Sequence, residues 1–287
     1  MKNTLISFFR YTRRNIMLAY GFAIIFTLIL FWVLARLYVS PEMAKALSVP
    51  HLQSPSLEYP LGTDPQGRNI LAVMVVGVPL TLYIGLFAGA FGTIVGTILA
   101  FVAGYYRGTV DAVIRVIVDT LTTVPGLMIL IVIALAIGQG GLSVGQMALV
   151  VGVLAWVGPT RTIRAQVLTM RERTYVDIAR LSGMSGIKII FVELIPNIMP
   201  FIVSQFVLAV AAGILASIGL EALGLGPFDT NTMGMTIYWN IYYGSLIQGM
   251  WWWWGAPTAV IIMMFVGLFL ITAGLDEWAN PRLRKRL

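Results

Sequence analysis

The chain has 287 residues, of which 59% are hydrophobic and only 11% are charged, and its mean hydropathy is +0.88. Soluble domains carry about twice that share of charge, so the composition excludes an ordinary soluble fold. With no cysteine and a single histidine, His51, the sequence excludes disulfides and thiolate metal sites and leaves little for a metal cluster. We assign the net charge of +7 to loops at the inner membrane surface rather than to nucleic-acid binding.

Long uncharged stretches predict an all-α membrane protein. A helix crosses the hydrocarbon core with about 20 apolar residues, and in lipid only helices and closed barrels satisfy their own backbone hydrogen bonds. The stretches lack the short alternating pattern of barrel strands, so we predict helices. They are residues 15–35, 69–106, 120–160, 194–220 and 230–275, none of which contains Asp, Glu, Lys or Arg.

In chain order we predict six membrane-spanning helices, at about residues 16–38, 79–104, 114–137, 144–168, 199–223 and 254–275. The stretch 120–160 is too long for one span, and the sequence GQGGLSVG (138–145) favours a turn inside it. The first span could instead be a cleaved signal peptide, but its apolar run is longer than usual and no convincing A-x-A cleavage site follows it.

The basic residues predict the orientation of these spans. With the N-terminus inside, only Arg36, Lys45 and Arg68 of the 19 Lys and Arg residues fall outside, which matches the excess of positive charge on cytoplasmic loops. Both termini are then cytoplasmic. We divide the chain into residues 1–75, with the first span and an outer segment, and a core of five spans at 76–287.

The long inner segment, about residues 169–198, contains TYVDIARLSGMSGIKIIFVELIPN and predicts two short helices joined by a sharp turn. Residues 172–181 favour a helix, Gly183 a left-handed cap, Ser185 the start of a second helix and Pro196 its end. An exposed helix of this kind suits docking into a groove of a partner protein. The alternative, which the physics leaves open, is an amphipathic helix lying on the membrane surface among basic residues.

This segment resembles the EAA signature of binding-protein-dependent ABC transporter permeases, which reads E-A-A, three residues, Gly, nine residues, then I-x-L-P. Asp177–Ala179 align with E-A-A, Gly183 with the glycine and Ile195–Pro196 with L-P. The departures are Ile178 in place of alanine and Glu193 in place of the first isoleucine.

Other segments resemble one branch of that family, the second membrane subunit of the dipeptide/oligopeptide/nickel permeases. YPLGTDPQGRNIL is similar to its outer segment, and ALGLG (222–226) to a motif after its fifth span. Where the family usually has a glutamate this chain has Ser217, and Glu221 lies four residues later. A further block after the second span matches through Gly104, Asp111, Arg115, Asp119 and Pro125.

The resemblance implies a prokaryotic plasma-membrane protein with the type I ABC importer permease fold, whose EAA loop forms a coupling helix in a cleft of a cytoplasmic ATPase subunit. Implied partners are a homologous permease subunit in a heterodimer, two ATPase subunits and an extracellular solute-binding protein. The substrate would be a di- or oligopeptide, an oligosaccharide or nickel. The implied ATPase-coupling residues are Tyr175, Asp177, Ala179, Arg180, Leu181, Gly183 and Ser185.

The sequence has no G-x-x-x-x-G-K-[ST] loop to hold phosphates. We therefore expect the chain to be no enzyme and to bind no cofactor itself, with ATP and Mg²⁺ held by the partner ATPase subunits. The rival interpretations are a secondary transporter or channel working alone, and a membrane anchor for other proteins. Few intramembrane charges and no detected inverted repeat argue against the lone transporter.

Several residues of the spans have both a structural and a functional interpretation. Arg115 and Asp119 share a helix face, which favours a structural ion pair over a substrate contact, and Pro125 is expected to bend that helix. Glu221 is either a functional intramembrane carboxylate or a side chain that reaches the outer interface. With Pro196, these are the structural or gating candidates. Small residues recurring along the second span favour helix packing over a substrate path; they are Gly85, Gly89, Gly92 and Gly96.

Aromatic residues crowd the second outer segment, in YWNIYYGSLIQGMWWWW (238–254). The favoured interpretation is anchoring at the membrane interface, and the alternative is a dock for an extracellular binding protein or stacking on a sugar. We take as candidates for such outer contacts Asp64, Arg68, Trp239, Tyr242 and Tyr243.

Overall fold

The computed structural model describes residues 11–12, 15–138 and 141–279. Its helices are α1 (Ile16–Tyr38), α2 (Ile70–Phe101), α3 (Gly108–Thr123), α4 (Gly126–Ile137), α5 (Val144–Ala155), α6 (Val157–Met170), α7 (Thr174–Leu181), α8 (Gly186–Ile189), α9 (Ile195–Ala222), α10 (Met233–Tyr242) and α11 (Trp251–Ala279). Short π-helical turns follow α2 and α8, at Val102–Tyr106 and Ile190–Leu194.

The prediction of an all-α membrane protein is confirmed. Within the described residues, five helical stretches are long and apolar enough to cross a membrane: α1, α2 with its π turn, α5 with α6, α8 with α9, and α11. The pair α3–α4 qualifies as a sixth span although it bends by 88°. The only β pairing in this part of the chain is an isolated bridge between Thr63 and Asn69.

Helix α2 begins earlier than the predicted residue 79. Asn69 caps it, because its side-chain oxygen accepts hydrogen bonds from the backbone N–H groups of Leu71 and Ala72, at 2.9 and 3.3 Å. Pro79 lies inside the helix without ending it. The cap sets the start of this helix, and Pro79 is tolerated within it.

The third predicted span, 114–137, is two helices. Helix α3 ends at Thr123, and Pro125 adopts φ −55° and ψ 116° before α4 begins. Proline donates no backbone hydrogen bond and disfavours helical geometry in the residue before it. The expected bend at Pro125 is therefore present, and it is close to a right angle.

The prediction that Pro196 ends the second elbow helix is wrong. The chain passes from α8 through the π turn into α9, and Pro196 lies in the first turn of α9. The wide π turn directly before α9 accommodates this proline, because it departs from the regular i→i−4 pattern to which the missing N–H would belong. Residues Gly186–Ala222 consequently form one long helical stretch.

Glycines allow α2 to pack closely against its neighbours at the centre of the bundle. A methyl group at Gly89 would lie 2.5 Å from Val210 Cγ2 of α9, and one at Gly96 would lie 2.8 Å from Pro159 Cβ of α6. A methyl group at Gly85 would lie 2.4 Å from Ile214 of α9, and one at Gly92 would lie 2.4 Å from Ala155 of α5. The glycine series thus serves helix packing, as predicted, while α1 packs against α11.

Helix α2 joins two different ends of the molecule. At one end, here called the loop end, residues 39–69 contact the segment before α10, where Asn231 Nδ2 donates to the Ala44 carbonyl at 2.7 Å. At the other end, the elbow end, Arg107 pairs with Glu172 at 3.6 Å. The orientation of these two ends relative to the cytosol stays a prediction. The division of the chain into residues 1–75 and 76–287 also stays a prediction.

Candidate functional site

The elbow, defined here as α7, the turn after it and α8 (residues 174–189), has the predicted helix–turn–helix form. Gly183 has φ +79°, in the left-handed region that favours glycine. Met184 N–H donates to the Ala179 carbonyl at 3.1 Å, which satisfies a free carbonyl at the end of α7. Ser185 then caps α8 by accepting a hydrogen bond from the Lys188 N–H.

One face of the elbow is buried in the bundle. Val176 is 0% exposed, Ala179 5% and Ile189 1%. They pack in a cluster formed by the ends of α2, α6 and α9, with Ala100, Phe101, Ile163, Val167, Leu194 and Ile198. The elbow is therefore packed against the ends of three spans.

The opposite face of the elbow is apolar and open. Leu181 is 89% exposed, Ile187 63% and Ile178 59%. A side chain at Gly183 would meet nothing within 4 Å. Exposed apolar groups grouped on a fixed base are typical of an interaction site.

The structure divides the predicted coupling residues into two groups. Asp177, Leu181, Gly183 and Ser185 lie on exposed positions, whereas the expectation that Ala179 reaches a partner is wrong, because its methyl group packs inward. Sequence reasoning treated Ile178 only as a departure from alanine and did not single out Ile187. The spacing of three residues between Ile178 and Leu181 was the available signal that they share a face.

Tyr175 and Arg180 are half-buried at the base of the elbow. Burial raises the pKa of the Tyr175 phenol above its ordinary value, and its oxygen is buried with no hydrogen-bond partner among the described residues. Arg180 Nη1 donates to Asp177 Oδ1 at 3.0 Å, and its guanidinium lies 5.8 Å from the Tyr105 ring centroid. Arg180 therefore links the elbow to the end of α2.

Arg171 makes a second link between the elbow end and α2. Its Nη1 donates to the Tyr105 carbonyl at 2.6 Å, in the π turn that follows α2. Arg107, at the end of that turn, has φ +60°. A π turn leaves carbonyls outside the regular helical pattern, and the Arg171 guanidinium satisfies one of them.

The predicted ion pair between Arg115 and Asp119 is absent. Both side chains are exposed, and pairing between exposed charges contributes little. The pair that forms instead joins α3 to α6: Arg164 Nε and Nη2 donate to the two Asp111 oxygens at 2.5 and 2.7 Å. The bidentate geometry and partial burial of Asp111 and Arg164 favour this pairing.

At the loop end, Asp64 and Arg68 form a buried ion pair. Arg68 Nε lies 2.7 Å from Asp64 Oδ2, and the two side chains are 6% and 1% exposed. Arg68 Nη1 also donates to Asn231 at 2.7 Å. The expectation that these two residues contact a binding protein or a substrate is wrong, because they hold the loop end together.

Glu221 is fully buried, so the interpretation that it reaches the interface is wrong. One carboxylate oxygen accepts hydrogen bonds from Thr232 Oγ1 and from Met235 N–H, the latter at 3.0 Å. The carboxylate lies at the N-terminus of α10, where backbone N–H groups favour an anion. The absence of a side chain at Gly234 provides the space.

The aromatic residues of the loop end are mixed in their exposure. Trp253 is 1% exposed and belongs to the core, whereas Tyr242 is 67% and Trp251 62% exposed. Trp239 and Tyr243 are half-buried and contact each other's rings at 6.0 Å. Of the aromatic candidates for outer contacts, Tyr242 is the most accessible.

Two cavities lie beside α6. The larger, of about 630 Å³, is bounded by α4, α5, α6 and α9 and is almost entirely apolar, with Thr162 and Gln205 as its polar residues. The smaller, of about 240 Å³, lies between α3 and α6 and is lined by Ile114, Arg115, Val118, Asp119, Thr160, Arg161 and Arg164. No group of three or more metal-ligating His, Cys, Asp or Glu side chains occurs in the described ranges.

Five or six apolar spans, a cavity between them and a fixed elbow with an open apolar face define a multi-pass membrane protein of the transporter type. The sequence profile of the family described as binding-protein-dependent transport system inner membrane component matches residues 92–285. The chain belongs to that family, and within it to the permease subunits of ABC importers.

Similar proteins agree with this assignment. The chain is 28% identical over 268 residues to the dipeptide transport system permease protein DppC of Bacillus subtilis, with 91% of this chain and 81% of that protein covered. It is 31% identical over 197 residues to DppC of Lactococcus lactis, with 68% and 55% covered. It is 29% identical over 220 residues to the glutathione transport system permease protein GsiD of Escherichia coli O157:H7, with 76% and 72% covered.

Proposed function

We propose that the chain is one of two permease subunits of an ATP-driven importer, and that the elbow is its coupling helix. The observation that carries this proposal is the contrast within the elbow. Its base at Val176 is 0% exposed, whereas Leu181 is 89% exposed. A fixed base transmits displacement, and an open apolar face offers a contact to an ATPase subunit, which supplies the nucleotide chemistry that this chain lacks.

Force on the elbow would reach the spans by several routes. The buried face carries it to α2, α6 and α9, while Arg171 and Arg180 carry it to the π turn at Tyr105. Nucleotide binding on the ATPase subunits would favour one arrangement of these contacts over another and so shift the population between inward- and outward-open states. The chain itself performs no covalent chemistry in this scheme.

The remaining partners follow from the surfaces. Residues along α3 and α4, from Val110 to Ile137, expose many apolar side chains, which supports a face against lipid or against a homologous permease subunit in a heterodimer. With the elbow on the cytosolic side, both termini lie inside and the loop end faces outward. An extracellular solute-binding protein would deliver substrate there, with Tyr242 as the most accessible aromatic contact.

We further propose that the substrate is a short peptide. The support is that similar permeases are named for dipeptide and glutathione transport. The 630 Å³ cavity beside α6 would form this subunit's half of the translocation pathway, and a volume of several hundred Å³ is typical of sites for small molecules. Oligosaccharides, which the aromatic outer segment also suggested, are the alternative substrate class.

Two matched glycine substitutions test the coupling role. Gly183 and Gly244 both have left-handed φ angles, +79° and +60°, and a side chain at either would meet nothing within 4 Å. Gly183→Val and Gly244→Val therefore impose similar local strain, about 1–3 kcal/mol, at opposite ends of the molecule. In proteoliposomes containing the permease pair, the ATPases and the binding protein, we expect Gly183→Val to abolish ATP-dependent uptake.

Gly244→Val should leave coupling intact and act as the control. Equal uptake by the two variants would contradict the proposal, as would uptake by this chain alone without ATP, which is the expected behaviour of a secondary transporter or channel. No uptake by the complete wild-type assembly, with any peptide that the binding protein holds, would favour the membrane-anchor interpretation. Cross-linking of Leu181→Cys to the ATPase subunit would identify the contact directly.

A further inference from the structure

The larger cavity, which is bounded by α4, α5, α6 and α9, contains one buried side-chain amide. Gln205 of α9 lines this cavity and is only 7% exposed. Apart from Gln205 and Thr162, the described residues that line the cavity are apolar or glycine, and none of them is charged. Hydrogen bonding to a molecule inside the cavity therefore depends chiefly on these two side chains.

Thr162 holds the amide of Gln205 in one orientation. Thr162 Oγ1 donates to Gln205 Oε1 at 2.7 Å, so that α6 binds one end of the amide. The other end, Nε2, has no hydrogen-bond partner among the described residues and is not completely enclosed by them. An amide that leaves its N–H groups unpaired in apolar surroundings costs about 1–3 kcal/mol. The free end is thus a hydrogen-bond donor that a molecule in the cavity can satisfy.

The amide lies at the end of the cavity that is closer to the elbow. Gln205 is the first residue of α9 that lines the cavity, and Gly219, 14 residues later, is the last, which corresponds to about 21 Å along the helix axis. On α6 the lining runs from Gly158 to Thr162, towards the end of the helix that precedes the elbow. The polar pair therefore marks one end of a cavity whose remaining wall is apolar.

We propose that Gln205 binds the transported substrate through a neutral oxygen acceptor, and that Thr162 positions the amide for this contact. The N–H groups of an amide donate to carbonyl and hydroxyl oxygens. The described lining residues carry no charge, which favours a neutral polar group over an ion at this place. The carbonyl groups of a peptide and the hydroxyl groups of a sugar share this chemistry.

This inference rests on the proposed importer function, in which the cavity belongs to the translocation pathway. It adds one residue that contacts the substrate, Gln205, and one positioning residue, Thr162. A single neutral hydrogen bond is a weak contact, which suits a pathway from which the substrate must be released.

The test makes use of the absence of cysteine from this chain. Ala212 lines the same cavity and is exposed, so Ala212→Cys introduces a single thiol there. The assembled permease and ATPase subunits are placed in nanodiscs without the binding protein, and mass spectrometry of this chain follows the reaction of the thiol with a water-soluble methanethiosulfonate. N-acetyl-Ala-Ala-amide and maltotriose are added separately, and we expect one of them to slow the labelling and so to identify the source of the oxygen acceptor.

Substitutions at Gln205 and Thr162 are made in the Ala212→Cys chain. Gln205→Leu should raise the concentration that gives half-maximal protection about three- to tenfold, as expected for the loss of one neutral hydrogen bond. Gln205→Glu keeps an acceptor for Thr162 but lacks the N–H groups, and it should behave like Gln205→Leu. Thr162→Val should cause a smaller increase, and Thr162→Ser, which keeps the hydroxyl group, should restore the original protection.

Gln166→Leu is the matched control, because Gln166 is exposed on α6 and does not line the cavity. Equal labelling rates without added compound would show that each variant retains the cavity. Three results would overturn the proposal: equal half-maximal concentrations with and without Gln205→Leu, protection by neither compound, or no labelling of Ala212→Cys in the assembled complex. The last result would mean that a neighbouring subunit or lipid fills the cavity.

Failure of this site and failure of the importer function are distinguishable. If Gly183→Val abolishes ATP-dependent uptake while Gln205→Leu leaves the protection unchanged, the importer function stands and the amide site is wrong. If protection depends on Gln205 but uptake does not require ATP, the site stands and the coupling proposal is wrong.

Discussion

At the loop end, Asp64 and Arg68 form an ion pair whose side chains are 1% and 6% exposed, whereas at the elbow end Asp177 and Arg180 form one whose side chains are 56% and 35% exposed. Two apolar side chains show the same contrast, because Trp253 of the loop end is buried and Leu181 of the elbow is exposed. The loop end thus pairs the charges of Asp64 and Arg68 in its interior. The elbow end exposes an apolar face, which is the face that we propose contacts an ATPase subunit.

The largest effect that would test this contrast is expected at the buried ion pair. Arg68→Met keeps most of the side-chain volume but leaves the Asp64 carboxylate buried without its partner. We expect the free energy of unfolding to fall by about 3–5 kcal/mol, measured by thermal or denaturant unfolding in detergent. Lys45→Met is the control, since Lys45 pairs with Glu42 on the surface of the same segment and its loss should cost about 0–1 kcal/mol.

Equal destabilisation by Arg68→Met and Lys45→Met would show that the loop end does not depend on its buried network.

A smaller effect is expected where Glu221 caps α10. A methyl group at Gly234 would contact the Glu221 carboxylate and lie 2.8 Å from its Cβ. Gly234→Ala should therefore destabilise the fold by about 1–3 kcal/mol, again measured by unfolding. Gly255→Ala, in α11 with nothing within 4 Å, should be neutral or stabilising by up to about 1 kcal/mol. A neutral Gly234→Ala would contradict the close packing around Glu221.

The smallest effects on stability, and the most informative about function, are expected within the elbow. Val176→Ala removes buried methyl groups and should cost about 1–2 kcal/mol. Leu181→Ala removes exposed ones and should change the free energy of unfolding by less than about 0.5 kcal/mol. Peptide uptake should nevertheless fall in the Leu181 variant, measured in the reconstituted assembly. Unchanged uptake with Leu181→Ala would contradict the role of the open face.

Local chemistry allowed much of this fold to be predicted from the sequence. The first span coincides with α1, Gly183 has the left-handed conformation that its position after a helix favours, and Pro125 separates two helices. Each of these features depends on nearby residues: an apolar run, a helix terminus, a missing N–H group.

Several of the incorrect predictions concern contacts between distant segments. Arg115 and Asp119 have the right spacing for a pair, but Asp111 pairs with Arg164 of α6, 53 residues away. Asp64 pairs with Arg68, which is only four residues away in the sequence. The pair is buried, however, at a place where Arg68 also contacts Asn231 of the segment before α10. The inward position of Ala179 likewise depends on the ends of three other spans, which no local pattern encodes.

The glycine contacts of α2 have a mechanical consequence for transport. At Gly89 the backbone of α2 lies against Val210 of α9, and at Gly96 it lies against α6. Helices that meet at this distance cannot slide past each other without separating, because packed interiors resist small deformation. In the importer that we propose, alternating access would therefore come from rotation of the α2–α6–α9 unit as a rigid body rather than from sliding of these helices.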